Sequence, residues 1–203
     1  QNIIKFIQYQ FKQLTNSNIS QYKIKKIYLP IIDYIINSKN NKFLFSGSQG
    51  IGKTTLLKLI DITLKKKFNK KILSLSLDDF YFDKKERIKL AKKIHPLLIT
   101  RGVPGTHDIT SLQNIIKKFN KSKFPLKLPL FEKLSDTRNK KKKLIKAKCD
   151  ILILEGWCLG CPPINKKILL KNINYLERHF DNNFKWRKYY NNQLKNKYSK
   201  VFK

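Results

Sequence analysis

The sequence predicts an α/β fold in which a parallel sheet is flanked by helices, and three observations predict it. The first is the stretch Gly47-Ser48-Gln49-Gly50-Ile51-Gly52-Lys53-Thr54. It follows an apolar, strand-like run, Lys42 to Ser46, and precedes Leu56, Leu57, Ile60 and Leu64 at helical spacing. The second is Ile151-Leu152-Ile153-Leu154, an unbroken apolar run of the kind a strand shows when buried on both faces of a parallel sheet. The third is that acids follow predicted strands directly, at Asp78-Asp79 and at Glu155, and ligands of open α/β sheets bind beyond those strand ends.

The elements follow in order. Ile3, Ile4, Ile7, Phe11 and Leu14 recur at helical steps and predict an amphipathic helix over 2–15. A second helix over 20–37 carries Ile27, Leu29, Ile31, Ile32 and Ile35, with Pro30 marking a kink or the true start. After the 42–46 strand and the glycine-rich loop with its helix, residues 70–77 alternate as a strand that ends in Ser76-Leu77-Asp78-Asp79-Phe80-Tyr81. One of those two acids is expected to cap the next helix. Residues 84–100 read as a helix that gives way to a loop, and 110–120 as a helix with Leu112, Ile115, Ile116 and Phe119 on one face. From about 164 the chain is expected to be helical, with Trp186, Tyr190, Leu194 and Tyr198 as a packing stripe. The organisation expected is one domain over 1–203: N-terminal helices to 42, a core over 43–163 and C-terminal helices over 164–203.

The glycine-rich stretch fits G-x-x-x-x-G-K-[ST], the phosphate-binding loop. Glycines let successive amides turn inward around a phosphate, and the loop runs into a helix whose first amides are unpaired. Residues 47–54 and Thr55 are therefore expected to bind ATP, with Lys53 on the β- and γ-phosphates and the Thr54 hydroxyl on Mg²⁺. A chance glycine turn is disfavoured by the strand before it and the helix after it. An acid at 78 or 79 suits a general base that takes the proton of an acceptor hydroxyl. The turn-rich segment Arg101 to Asp108, with His107 inside it, suits holding a polar, anionic substrate. Lys133 and Arg138 are further candidates for carboxylate or phosphate contacts. Glu155 suits ordering Mg²⁺ or its water.

Composition limits the alternatives. The 203 residues carry a net charge of +32, and 40 of the 45 basic residues are lysine, spread along nearly the whole chain. With alanine only at 91 and 147, that bias tracks AT-rich codons rather than a nucleic-acid face, which concentrates charge and mixes in arginine. A specific nucleic-acid partner is therefore not expected, although so positive a field attracts polyanions nonspecifically. The lysine run 140–143 reads as a solvated face. Cys149, Cys158 and Cys161 are an odd set without a secretion signal, which points to a reducing, cytoplasmic setting and to packing rather than zinc. No apolar run approaches membrane-spanning length. The sequence starts at Gln1 and lacks methionine, so a trimmed or processed N-terminus is expected.

Four motifs in this order resemble the D-glycerate 3-kinase family, relatives of uridine kinase, phosphoribulokinase and pantothenate kinase. They are the phosphate loop, the Ser76 to Tyr81 segment, Arg101 to Asp108 and Glu155-Gly156-Trp157, with Leu128 to Lys133 in support. The resemblance implies a P-loop NTPase sheet with the 151–154 strand beside the loop strand and the 71–77 strand outside it. It implies Asp78 as base, Lys53 and Glu155 as further catalytic groups, and Asp79, Tyr81, Arg101, His107, Asp108, Lys133 and Arg138 around the acceptor. Thr54 and Glu155 would serve Mg²⁺, and the acceptor would be a small hydroxy acid, D-glycerate first. Because relatives continue past the position of Lys203 with another strand, a lid and a terminal strand, a C-terminally incomplete chain is expected. The competing readings are another kinase of the same group, a truncated nucleotide-binding remnant, and a nucleic-acid-associated P-loop NTPase.

Overall fold

The computed structural model describes residues 2–201; Gln1, where the sequence begins, and Phe202–Lys203, where it stops, lie outside the described residues. Helix α1 (Ile3–Thr15) begins where the Asn2 side chain accepts the Ile4 amide and ends at Asn16, in left-handed conformation at φ 54°. The helix predicted over 20–37 is one run whose winding changes: α2 (Gln21–Lys23), a π turn over Ile24–Tyr28, then α3 (Leu29–Asn37). Pro30 explains the change. It has no N–H to donate four residues back, and just before it the ladder widens so that the Leu29 amide reaches the Ile24 carbonyl. Pro30 therefore sits in the first turn of α3.

Strand β1 (Lys42–Ser46) leads through the glycine-rich loop into α4 (Lys53–Phe68), followed by β2 (Ile72–Ser76). Then come α5 (Lys84–Lys93), α6 (Ile109–Asn120) and four short strands, β3 (Leu126–Leu128), β4 (Phe131–Glu132), β5 (Thr137–Arg138) and β6 (Lys143–Ile145). Strand β7 (Ile151–Gly156) precedes α7 (Lys166–Leu169), α8 (Tyr175–Phe180) and α9 (Lys185–Asn196). The chain forms two compact units, one comprising the chain up to Leu75 with Lys148–Trp157, the other Ser76–Ala147 with Cys158 onward.

The first unit is built on a parallel three-stranded sheet of order β1-β7-β2. Its centre is β7, where Ile151 to Leu154 are all buried, as an uninterrupted apolar run requires. The register sets Phe43 beside Ile153 and Phe45 beside Glu155. Phe43, Ile151 and Ile153 join Ile7, Ile24, Ile32 and Ile35 of the N-terminal helices and Leu57, Ile60 and Leu64 of α4 in one core. Each such side chain contributes about 1.5–3 kcal/mol on burial. Helix α4 is buried more widely than its periodicity predicts: Leu59 and Thr63 are also fully enclosed, and the Thr63 hydroxyl donates to the Leu59 carbonyl at 2.7 Å. The Asp150 carboxylate accepts the Lys71 amide at 2.8 Å and so ties the start of β7 to the start of β2.

In the second unit, the Leu77–Phe80 segment forms a 3₁₀ turn. Neither Asp78 nor Asp79 caps the next helix, contrary to expectation. Asp83 does so, in a reciprocal capping box with Glu86, because four residues separate the acids at 78–79 from the first helical turn. Residues 96–99, expected as loop, form a second 3₁₀ turn. Two antiparallel ribbons, β3 with β6 and β4 with β5, were not expected. Strands of two or three residues are too short to show alternation. The C-terminal part is helical as expected, and among the described residues it comprises α7, α8 and α9. Asn174 caps α8 through the Glu177 amide, and Tyr198 lies past the end of α9 in a 3₁₀ turn, Tyr198–Lys200. Buried Arg187 binds Asp181, Glu177, Asn172 and the Lys171 carbonyl, holding these pieces together. Among the described residues no helix is long and apolar enough to cross a membrane.

Candidate functional site

The phosphate-loop residues belong to the first unit. Gly50 and Gly52 sit at φ 78° and 90°, where a side chain would be strained. Gly52 is itself the N-cap of α4, so the unpaired amides of the first turn belong to Lys53, Thr54 and Thr55. The Lys53 ammonium donates to the Gly47 and Ser48 carbonyls, each at 2.7 Å, which anchors its long chain over its own loop. Gln49, Ile51 and Thr54 are exposed. Glu155, half-buried, is brought to the root of this loop by its register with Phe45, one residue before β1 ends at Ser46. A hydroxyl at 54 and a carboxylate at 155 are hard oxygen donors, the type Mg²⁺ takes, and that ion needs only one or two protein carboxylates when phosphates complete its shell. The donor chemistry therefore fits Mg²⁺.

The remaining candidates lie in the second unit and are bound to one another. Asp78, two residues past β2, forms an ion pair with Lys133 at 2.8 Å, with side chains 26% and 61% exposed respectively. Asp79 accepts the Phe131 amide at 3.2 Å and so helps hold β4. Tyr81 is buried and hydrogen-bonds Asp78; desolvation first, and then the Asp78 charge, push its hydroxyl far above the usual range. Arg138 donates from Nε to the Tyr81 carbonyl at 2.8 Å and pairs with Asp108 at 3.3 Å. Asp108 also caps α6, accepting the Ser111 amide at 3.0 Å and the Ser111 hydroxyl at 2.7 Å. A turn segment ending in an N-cap is thus the local reason for an aspartate at this position.

Arg101 pairs with Asp136, which also binds buried Arg87. Burial alone would raise the Asp136 carboxyl, but hydrogen bonds from Arg87 and Arg101 outweigh it and hold the group below the usual carboxylate range. Asp136 is the charged partner that the sequence reading missed. The one signal was an acid three residues after Lys133 and two before Arg138; its partners stand 49 and 35 residues away in the chain. Arg101 uses only its NH1 in hydrogen bonds to the described residues, so one edge of its guanidinium has no protein partner there. It is 32% exposed.

His107 is 3% exposed. Its ring stacks on Tyr81 with centroids 4.4 Å apart, and Nδ1 lies 2.6 Å from the Tyr198 hydroxyl. Burial pushes the imidazole down to about 3, against a smaller upward pull from Asp78, so the ring is neutral. Tyr198, which its spacing suggested was simple packing, therefore reaches the candidate site as well. Among the described residues no group of three or more His, Cys, Asp or Glu is placed to hold a metal, and Cys158 is buried with its thiol pushed up to about 12 by desolvation and the neighbouring Cys161. The packing reading fits Cys158 but not Cys161, which is exposed.

No protein-family model matches the chain. Among proteins of known sequence, it is 35% identical over 134 residues to the uncharacterized kinase mug58 of Schizosaccharomyces pombe, covering 61% of this chain and 48% of that protein. It is 37% identical over 133 residues to the probable ATP-dependent kinase TDA10 of Saccharomyces cerevisiae, covering 59% and 46%. It is 30% identical over 163 residues to the chloroplastic D-glycerate 3-kinase of Arabidopsis thaliana, covering 71% and 35%. The solved structure of the YGR205w protein superposes with a TM-score of 0.64 at 31% identity, over 89% of this chain and 64% of that one.

In sequence and in fold the chain is similar to proteins of the P-loop kinase group. A D-glycerate 3-kinase structure from Cryptococcus neoformans has the same fold, with a TM-score of 0.65 at 23% identity, over 86% of this chain and 67% of that one. The chain spans about half the length of the two yeast relatives it matches, and about a third of the plant protein.

Proposed function

We propose that the chain is the greater part of the working site of a kinase that transfers the γ-phosphoryl group of ATP to a hydroxyl of a small hydroxy acid, D-glycerate first. The observation that carries this reading is the coexistence of a complete phosphate loop in one unit with an acid, Asp78, two residues past a strand end in the other. A hydrolase needs only the first; a kinase needs a base for the acceptor as well. The motifs shared with D-glycerate 3-kinases support the choice of acceptor.

Each residue then has a role. Amides of residues 47–55 hold the phosphates, and Lys53 leaves its loop carbonyls to meet the γ-phosphoryl oxygens, where charge accumulates. Thr54 and Glu155 would hold Mg²⁺, which would supply charge neutralisation when bound. Asp78 accepts the proton of the attacking hydroxyl, while Lys133 holds its carboxylate in place. The unpartnered edge of Arg101 takes the carboxylate of the hydroxy acid, a planar group that a guanidinium binds with two parallel bonds. Asp79, Tyr81, Asp108 and Arg138 fix the positions of these groups through the contacts described above.

ATP consumption by the purified protein with Mg²⁺, measured against D-glycerate, pantothenate, uridine, ribulose 5-phosphate and polynucleotide, tests the reading. The expected result is stimulation by D-glycerate with 3-phosphoglycerate formed. Hydrolysis stimulated by polynucleotide alone would move the protein to a nucleic-acid-associated NTPase. ATP binding without turnover on any compound would make it a nucleotide-binding remnant.

A further inference from the structure

His107 makes one contact fewer than its chemistry allows. Nδ1 lies 2.6 Å from the Tyr198 hydroxyl, whereas Nε2 is shut away from solvent and meets no hydrogen-bonding partner among the described residues. The contacts of Tyr198 favour one assignment of the ring proton. Its oxygen accepts the Gly105 amide at 2.9 Å, and its single proton has His107 Nδ1 as its only acceptor among the described residues. With Nδ1 accepting, the neutral ring must carry its proton on Nε2.

The surroundings give that N–H a purpose. A buried donor without a partner is rare in proteins, and each instance calls for a reason. The ring is stacked on Tyr81, whose hydroxyl bonds Asp78, and the Asp78 charge acts on the imidazole, so the ring belongs to the same cluster as the acid assigned as base. The hold on the ring is rigid. Tyr189 donates to the Gly105 carbonyl at 3.2 Å, and a β-carbon at Gly105, whose φ is 101°, would lie 2.5 Å from the Tyr189 ring. The Gly105–His107 backbone is thus clamped by side chains from α9 and from the turn that follows it.

We propose that Tyr198 is a positioning residue that fixes His107 as an Nε2–H donor, and that the ligand of this donor is an oxygen of the phosphoryl acceptor. The proposal rests on the kinase reading for the identity of the acceptor but not for the state of the ring. It also adds a requirement: the acceptor pocket is not complete until the chain beyond α9 has folded onto the 101–108 segment.

Nitrogen-15 NMR of the histidine rings in the full chain, between pH 6 and 8, reads the ring directly. His107 is expected to show a bare, accepting Nδ1 and a protonated Nε2 that does not titrate, and Tyr198→Phe is expected to abolish that single tautomer. Saturation with D-glycerate, glycerol, pantothenate and uridine in turn is expected to move the Nε2–H resonance with at least one of them. A response to D-glycerate but not glycerol assigns a carboxylate oxygen; a response to both assigns a hydroxyl. In turnover, Tyr198→Phe is expected to raise the KM for the acceptor about tenfold and leave that for ATP unchanged. His107→Gln, whose amide N–H stands in for Nε2, should retain more activity than His107→Asn or His107→Ala. An Nδ1–H or charged ring in the free protein, or an Nε2–H signal unmoved by every compound, overturns the proposal even if turnover is seen. A shifted Nε2–H without turnover overturns the kinase reading and leaves the donor in place.

Discussion

The two units of this chain hold their candidate residues in opposite ways. In the first, the loop offers backbone amides, Thr54 and Glu155 beside Lys53, whose ammonium bonds only the Gly47 and Ser48 carbonyls of its own loop among the described residues. In the second, the charged candidates are engaged with opposite charges: Asp78 with Lys133, Arg101 with Asp136 and Arg138 with Asp108. The first arrangement leaves its donors ready for a phosphate. The second requires a substrate either to displace an ion pair or to use a group the pairs have left over, such as the outer edge of Arg101. A backbone site and a side-chain site thus differ in what can break them, and substitutions at each give different signatures.

Lys53→Ala should have the largest effect on activity. Removing a preorganised cation from the transferred group costs on the order of 10²–10³ in rate, with little change in melting temperature, because only main-chain oxygens of the loop lose a partner. Asp78→Asn comes next. If Asp78 is the base, phosphoryl transfer falls about 10²-fold while ATP affinity, measured by titration calorimetry, stays unchanged. Weaker ATP binding with transfer intact would sink that assignment.

The same contrast explains what the sequence made legible. The loop and α4 were readable because eight contiguous residues specify a backbone conformation, with glycines where φ is positive. β7 was readable because a strand buried on both faces has an unmistakable composition. The ribbons β3–β6 and β4–β5 were not, since two or three residues show no period. Within the site, the types and order of the residues were legible, but their pairing was not. Asp136 gave little local sign that it binds Arg87 and Arg101, and Tyr198 read as one more stripe residue although its hydroxyl bonds His107 and Gly105. Pairings across 30 to 90 residues are set by the fold, and one sequence carries no record of them.

Stability sharpens the comparison within the second unit. Arg187→Met strands Asp181 and Glu177, both buried, and should cost about 3–5 kcal/mol in urea unfolding. Lys133→Met breaks a pair with a largely exposed lysine and should cost under about 1 kcal/mol, although it changes the acceptor site. Gly105→Ala falls between them, at about 1–3 kcal/mol, because the residue at φ 101° would be strained and its β-carbon would meet Tyr189.

The last effect is the most selective. His107 titrates near 6.5 when the chain is unfolded and is pushed down to about 3 in the fold, chiefly by burial. Between those values the unfolded chain binds a proton that the folded chain refuses, so unfolding is favoured as the pH falls. The contribution is fully present above 6.5 and is lost progressively toward 3. Asp136 adds a loss of the same sign, but lower on the pH scale, because its carboxyl is held below the usual range and gives up its arginine partners only when protonated. His107→Gln removes the first component and leaves the second. Urea midpoints at pH 7 and pH 5 should therefore differ clearly in the wild-type chain and much less in His107→Gln. An unchanged difference would mean that the ring is solvated or already charged, and the neutral donor in the Asp78 cluster would have to be given up.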